Sequence, residues 1–231
     1  MKILALDAAT ELCSAALWID GVSATREAAR PQGAGELLLG LVAQLLAESG
    51  LGLNRLDALA FGRGPGAFTG VRLAVGVAQG LGFAAGIPLL PVSDLRALAH
   101  RVLACEGASM RALVCQDARM AQVYWACFER RGEAPVASAE PVSVEAVSAP
   151  AAVRLPAAWD GTAVCAAGSG FEVHATLADM PALQGARVWG HLRPRAVEIA
   201  QLAAVDGLGR AVPADMAQPV YVRDEVAAPP S

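Results

Sequence analysis

The stretch Phe61-Gly62-Arg63-Gly64-Pro65-Gly66-Ala67-Phe68-Thr69-Gly70-Val71-Arg72 constrains this chain more than any other. An apolar run ends at Phe61, glycines follow at 62, 64 and 66, Pro65 fixes φ between two of them, and a helical pattern begins near Thr69. The order is strand, tight glycine loop, helix start. Such a loop brings backbone N–H groups to a helix N-terminus, where the dipole favours a phosphate or another anion. The alternative is that the glycines only let loop and helix pack closely. No Gly-Lys-Ser/Thr follows, so the loop is not a Walker motif, and it lacks the full Gly-x-Gly-x-x-Gly-plus-acid fingerprint of a dinucleotide site.

The 231 residues suffice for one large domain or two lobes sharing an interface. With 55% apolar and 17% charged residues, the chain is globular and not disordered. Net charge is −4 and Lys2 is the only lysine, whereas a protein that grips a nucleic-acid backbone unaided carries a basic surplus. Cys13, Cys105, Cys115, Cys127 and Cys165 are scattered, with no Cys-x-x-Cys pair, and Met1-Lys2 runs straight into a strand. Reduced thiols in the cytoplasm are expected, mostly as core packing. Leu73 to Val92 has about the length of a membrane span, but Pro88, Pro91 and its Gly/Ala content argue against one.

Lys2 to Asp7 is a short apolar strand, Ser14 to Ile19 its hairpin partner, and Asp20-Gly21 the next turn. Asp7 sits at a strand end beside Ala8-Ala9-Thr10, either facing a metal–phosphate site or capping the turn. From Glu36 to Ser49 the pattern is helical, and Leu37, Leu38, Leu39, Leu41, Val42, Leu45 and Leu46 give an apolar arc wider than one sheet face covers. The helix from Val71 to Ala85 is apolar all round except for Arg72 and Gln79, and Gly76 and Gly80 would allow close helix–helix approach. Either the two helices cover each other or they meet a protein partner. The expected contact residues are Leu37, Leu38, Leu41, Leu45, Leu73, Gly76, Val77, Gly80 and Leu81.

Leu56 to Phe61 and Pro88 to Val92 read as strands, with a helix from Ser93 or Asp94 to about Leu103. Cys105 to Ser109 is the crossing between lobes 1–105 and 106–231. Arg111 to Ala118 then repeats the opening theme of apolar strand and Asp-Ala, with a strand at Gln122 to Phe128. Ala134 to Ala158 reads as irregular with one short helix, and Ala163 to Ala167 as a strand entering Gly168-Ser169-Gly170, a second candidate phosphate loop. Pro194 to Leu208 is a helix by its Pro start and Gly end. This helix and the tail are expected to pack back on the first lobe, with Pro229-Pro230 a mobile end.

Two lobes that each open with a strand, an Asp-bearing turn and a second strand resemble the actin-like, Hsp70-like and sugar-kinase-like ATPase (ASKHA) fold, an α/β class of mixed sheets flanked by helices. Within it the sequence resembles the bacterial TsaB (YeaZ) family. The matching motifs are Ile3-Leu4-Ala5-Leu6-Asp7 with Thr10-Glu11, the Phe61–Arg72 stretch, Asp117-Ala118-Arg119-Met120 with Val123-Tyr124, and Tyr221-Val222-Arg223-Asp224. The resemblance implies a non-catalytic subunit that dimerises with TsaD for threonylcarbamoylation of the tRNA adenosine next to the anticodon. It further implies recruitment of the small ATPase TsaE, and of tRNA mainly through the complex, with no membrane. The surplus apolar surface suggests a homodimer when the chain is alone.

By the same resemblance, the catalytic sibling carries two metal-binding histidines at i and i+4 after a Pro-Val; here Asp94 and Leu98 match those positions, and leucine cannot ligate. His100 lies two residues on, about 200° round the helix, and His174 and His191 are in other segments. No metal and no catalytic residue are expected. Ala9 and Arg119 stand where the fold's phosphate turns usually carry glycine, which weakens nucleotide binding. No cofactor is required on this reading, and a weak ATP, ADP or anion site would draw on Asp7, Thr10, Gly64, Gly66, Thr69, Gly168 and Gly170. The rival reading is an ASKHA ATPase using Asp7 and the glycine loops. A metalloprotease fails for want of His-Glu-x-x-His or an i,i+4 His pair.

Overall fold

The computed structural model describes residues 1–29, 34–106, 109–132 and 137–223. The first lobe runs β1 (Lys2–Asp7), β2 (Leu12–Ile19), β3 (Val22–Ala29), α1 (Ala34–Ser49), β4 (Ala58–Gly62), α2 (Phe68–Ala85), β5 (Leu89–Val92) and α3 (Asp94–Glu106). The second runs β6 (Arg111–Asp117), β7 (Val123–Arg131), β8 (Ser138–Pro141), β9 (Ala146–Ser148), β10 (Cys165–Ala167), α4 (Gly170–Val173), β11 (Val188–Trp189) and α5 (Ala196–Asp206).

Asp20 and Gly21 both have positive φ, the twist-matched geometry of a two-residue hairpin, and they set the β2–β3 register from Ile19↔Val22. β1 pairs antiparallel with β2 and parallel with β4, which pairs parallel with β5, giving the order β3-β2-β1-β4-β5. The second sheet reads β8-β7-β6-β10-β11 with the same succession of two antiparallel and two parallel pairings, β9 adding to β7. The repeated strand–Asp-Ala–strand theme is thus a duplicated sheet.

Alternation along β1 and β4 sends successive side chains to opposite faces. Leu4, Leu6, Leu59 and Phe61 meet α1 and α2 on one side, while Ile3, Ala5, Ala58 and Ala60 meet Ile199, Ala200 and Ala203 of α5 on the other. α3 behaves reciprocally, burying Leu95, Leu98, Ala99 and Val102 against Ala112, Val114, Ala126 and Phe128 of the second sheet. Each lobe's last long helix therefore covers the other lobe's sheet, and the two helices touch. Arg96 of α3 ties this crossing. Its guanidinium donates to Asp206 at the end of α5 (2.6 and 3.0 Å), to Glu140 on β8 (2.7 Å) and to the Ala139 carbonyl (2.7 Å).

Some expectations change. Leu38, Leu41 and Leu45 of α1 are at most 6% exposed in the first core, so they are not partner contacts; the sheet itself takes this side of the helix. Leu37 is half-buried. The described part of the 134–158 region is less irregular than expected: it holds β8 and β9 on the long strand β7, and its helical pieces are 3₁₀ turns at Pro150–Ala152 and Ala157–Trp159. Leu73 to Val92 does not form one span: α2 ends at Ala85, Gly86 takes φ 65°, and β5 follows. By length and composition α2 is apolar enough to cross a bilayer, yet Val71, Ala74, Val75 and Ala78 are buried on the sheet. Pro229-Pro230 lie outside the described residues.

Candidate functional site

β4 delivers the glycine loop to the seam between the lobes. Asp94, the first residue of α3, closes a reciprocal pair with it: Gly64 N–H donates to Asp94 Oδ2 (2.5 Å) and Asp94 N–H donates to the Gly64 carbonyl (3.1 Å). The other Asp94 oxygen faces Asp7, whose Oδ1 accepts the Ala9 N–H (2.9 Å). Burial, then the Asp7 charge and the hydrogen bond between the two side chains, pushes the Asp94 carboxyl well above its ordinary 3.8. Ser93 Oγ accepts the Arg96 N–H (3.1 Å), an N-cap that fixes where α3 starts.

The glycines are explained by contact. A Cβ on Gly66 would stand 2.6 Å from the Ala9 carbonyl, and one on Gly62 would overlap both carboxyls. Gly64 takes φ 96° and packs under the Val220 carbonyl. Gly168 (φ 110°) and Gly170 press against the Cys115 carbonyl of β6, so Gly168-Ser169-Gly170 is a packing corner whose glycines serve the sheet.

Between the lobes lies a cleft of about 710 Å³. Ala9, Thr10 and Gly66 line one wall, and Asp117, Arg119 and Tyr124 the other. Of the residues expected to hold an anion, Thr10 and Gly66 reach this wall, whereas Asp7 is fully buried against Asp94 and Thr69 is exposed on the first turn of α2. The Gly64 N–H is already engaged by a carboxyl of the chain itself. Opposite, Arg119, Met120 and Ala121 have φ 61°, 53° and 57°, three successive left-handed residues that cost roughly 1–2 kcal/mol each.

The lobes are tied across the cleft. Arg193 bonds Glu11 (2.5 Å) and Glu172 (2.7 Å), and Arg63 of the glycine loop forms a bidentate pair with Glu145 (3.1 and 3.2 Å). Sequence reading missed these ties because their partners lie up to 182 residues apart. Among the described residues, no three His, Cys, Asp or Glu side chains converge in a group that could hold a metal. Leu98 is fully buried. Burial, reinforced by Arg96, lowers His100 to about 4 despite its hydrogen bond with Gln201, so this imidazole is neutral at pH 7. The Cys105 thiol is exposed and the other four are buried, none of the five being in a disulfide.

A second feature faces outward. Leu73, Val77 and Leu81 of α2 are half-buried, Gly76 and Gly80 are exposed with nothing within 4 Å of where a Cβ would stand, and Phe83 is 82% exposed. On neighbouring α1, Leu39 is 45% exposed. This is an apolar surface with a smooth glycine groove.

Duplicated mixed sheets, exchanged helices and an interlobe cleft define the class: a two-lobed α/β protein of mixed sheets flanked by helices. A family model described as "TsaD: tRNA N6-adenosine threonylcarbamoyltransferase" matches residues 32–227. The tRNA threonylcarbamoyladenosine biosynthesis protein TsaB of Escherichia coli K12 is 37% identical over 98% of this chain and 96% of its own length. Its Haemophilus influenzae counterpart is 44% identical over 54% of this chain and 52% of its own. The solved structure of YeaZ from Pseudomonas aeruginosa superposes with a TM-score of 0.85 at 39% identity, covering 95% of this chain and 99% of that one. The chain belongs to the TsaB (YeaZ) family.

Proposed function

We propose that this chain is a non-catalytic subunit for tRNA threonylcarbamoyladenosine synthesis that docks TsaD through the exposed face of α2. The observation that carries this reading is the apolar line of Leu73, Gly76, Val77, Gly80 and Leu81, extended by Phe83, on a helix whose opposite side already fills the core. The relatives' names supply the pathway. The chain stabilises the active arrangement of its partner, and TsaE and tRNA join through the complex, in the cytoplasm. Without TsaD, the same face pairs two copies of the chain.

Gly80→Arg tests the docking. The added side chain meets open space, so the variant stays folded with unchanged helical circular dichroism while losing association with TsaD and the modification of tRNA in a reconstituted system. A variant that still binds TsaD at wild-type affinity moves the interface elsewhere.

A second reading has one observation in its favour: the 710 Å³ cleft has room for a nucleotide beside Thr10 and Arg119. Titration calorimetry with ATP and ADP, with and without TsaD, decides it. Heat only in the presence of TsaD places the nucleotide with the partner.

A further inference from the structure

The Tyr221-Val222-Arg223 motif has no part in the proposed docking face, yet it is anchored at several points. The segment starts at Ala217, buried in the first core, whose carbonyl accepts from Gln79 of α2 (2.8 Å). Val220 N–H donates to the Arg63 carbonyl of the glycine loop (2.8 Å). The Tyr221 hydroxyl accepts from Arg72 Nε (2.6 Å), and the Arg72 guanidinium lies 3.7 Å over the Phe68 ring, itself 5.7 Å from the Tyr221 ring. The segment then crosses to the second lobe. Arg223 donates to the Ala118 carbonyl (3.1 Å) and the Gln122 Oε1 (2.5 Å), and reaches the Met120 sulfur (3.4 Å).

Ala118 and Gln122 flank the three left-handed residues of the β6–β7 turn, so Arg223 clasps both ends of this strained run of backbone. One segment thereby joins the first turn of α2, the glycine loop and the opposite wall of the cleft. Val220, Tyr221 and Arg223 also line that cleft.

We infer that residues 217–223 form a latch across the cleft, holding the lobes in one arrangement and coupling the β6–β7 turn to the first turn of α2. The latch rests on contacts within this chain alone. It stands or falls independently of the TsaD reading.

Native-state hydrogen exchange on the isolated chain tests it. In Arg223→Ala, amides of residues 119–122 should exchange about tenfold faster or more, and so should Gly64, Gly66 and Ala67 across the cleft, while β1, β4 and α1 stay within about twofold. Arg223→Lys keeps the charge but not the fork, and should give the same pattern in weaker form. Tyr221→Phe should speed exchange at 119–122 from the opposite end. Faster exchange confined to the tail and residues 119–122 in the Arg223 variants overturns the coupling. A uniform rise that includes β1 and β4 overturns it too, since Arg223 would then support the whole fold.

Discussion

The carboxyl groups of Asp7 and Asp94 meet across Gly62, one from the end of β1 and the other from the start of α3, with the glycine loop folded over them. Two buried acids in contact favour a shared proton. Asp94, raised well above 3.8, keeps in the folded state a proton that the unfolded chain gives up near that value. The folded form binds more protons in that window, so its stability is fullest below 3.8, falls as pH rises toward the raised value, and levels off above it.

Asp94→Asn mimics the protonated acid: it can still accept from Gly64 N–H and donate toward Asp7. In urea unfolding at pH 4, 6 and 8, the variant should match wild type at the low end and exceed it by a margin that grows toward the high end. Parallel pH profiles would remove the pair as the source of the slope.

Gly62→Ala places a methyl against both carboxyls, and Gly66→Val places a branched side chain on the Ala9 carbonyl. Each should lower stability by roughly 2–4 kcal/mol in chemical denaturation. A melting temperature unchanged in either variant means the loop can move away from β1.

Leu41→Ala empties space between α1 and the sheet and should cost about 2–4 kcal/mol of stability. Phe83→Ala removes an exposed ring and should change stability by less than about 0.5 kcal/mol, while weakening association with TsaD. Comparing denaturation midpoints with binding isotherms separates the two sides of this helix pair.

Arg96→Met leaves Asp206 and Glu140 without their buried cation and should cost about 3–5 kcal/mol, more than any surface ion pair here. Urea midpoints of this variant and of Arg26→Met, whose partner Glu48 is exposed, give the comparison.

One thiol of the five should react with an aromatic disulfide reagent in the native protein, and it should be Cys105. Burial pushes Cys127 up to about 12 and Cys115 well above its usual range, and both are closed off by neighbours. A count of two or more before unfolding would show the core opening.

The strands and the loop were legible because apolar runs and glycine spacing are local signals: β1, β4, β6 and the start of α2 lie within a few residues of where the pattern puts them. The buried side of α1 was not legible, since seven apolar residues round one helix do not say which of them meets the sheet. Asp94 stood out as a missing metal ligand, yet nothing in its neighbourhood points to Asp7, which only the β1–β4–β5 pairing brings near. β8 and β9 are three or four residues long, too short for a period to show. An apolar helical stripe likewise announces a covered face without saying whose sheet covers it: the return of the last helix to the first lobe was expected, but the reciprocal packing of α3 on the second sheet stayed hidden.

That exchange has a consequence for the nascent chain. Once Val92 is made, one face of the first sheet, with Ile3, Ala5 and Ala60, has no helix until Ala196–Asp206 emerges. At elongation speeds of about 5–20 residues per second, this sticky face waits roughly 5–20 s on the ribosome. Fragments ending near the crossing at residue 106 should therefore aggregate or be captured by chaperones, while the complete chain released from the ribosome folds both lobes together.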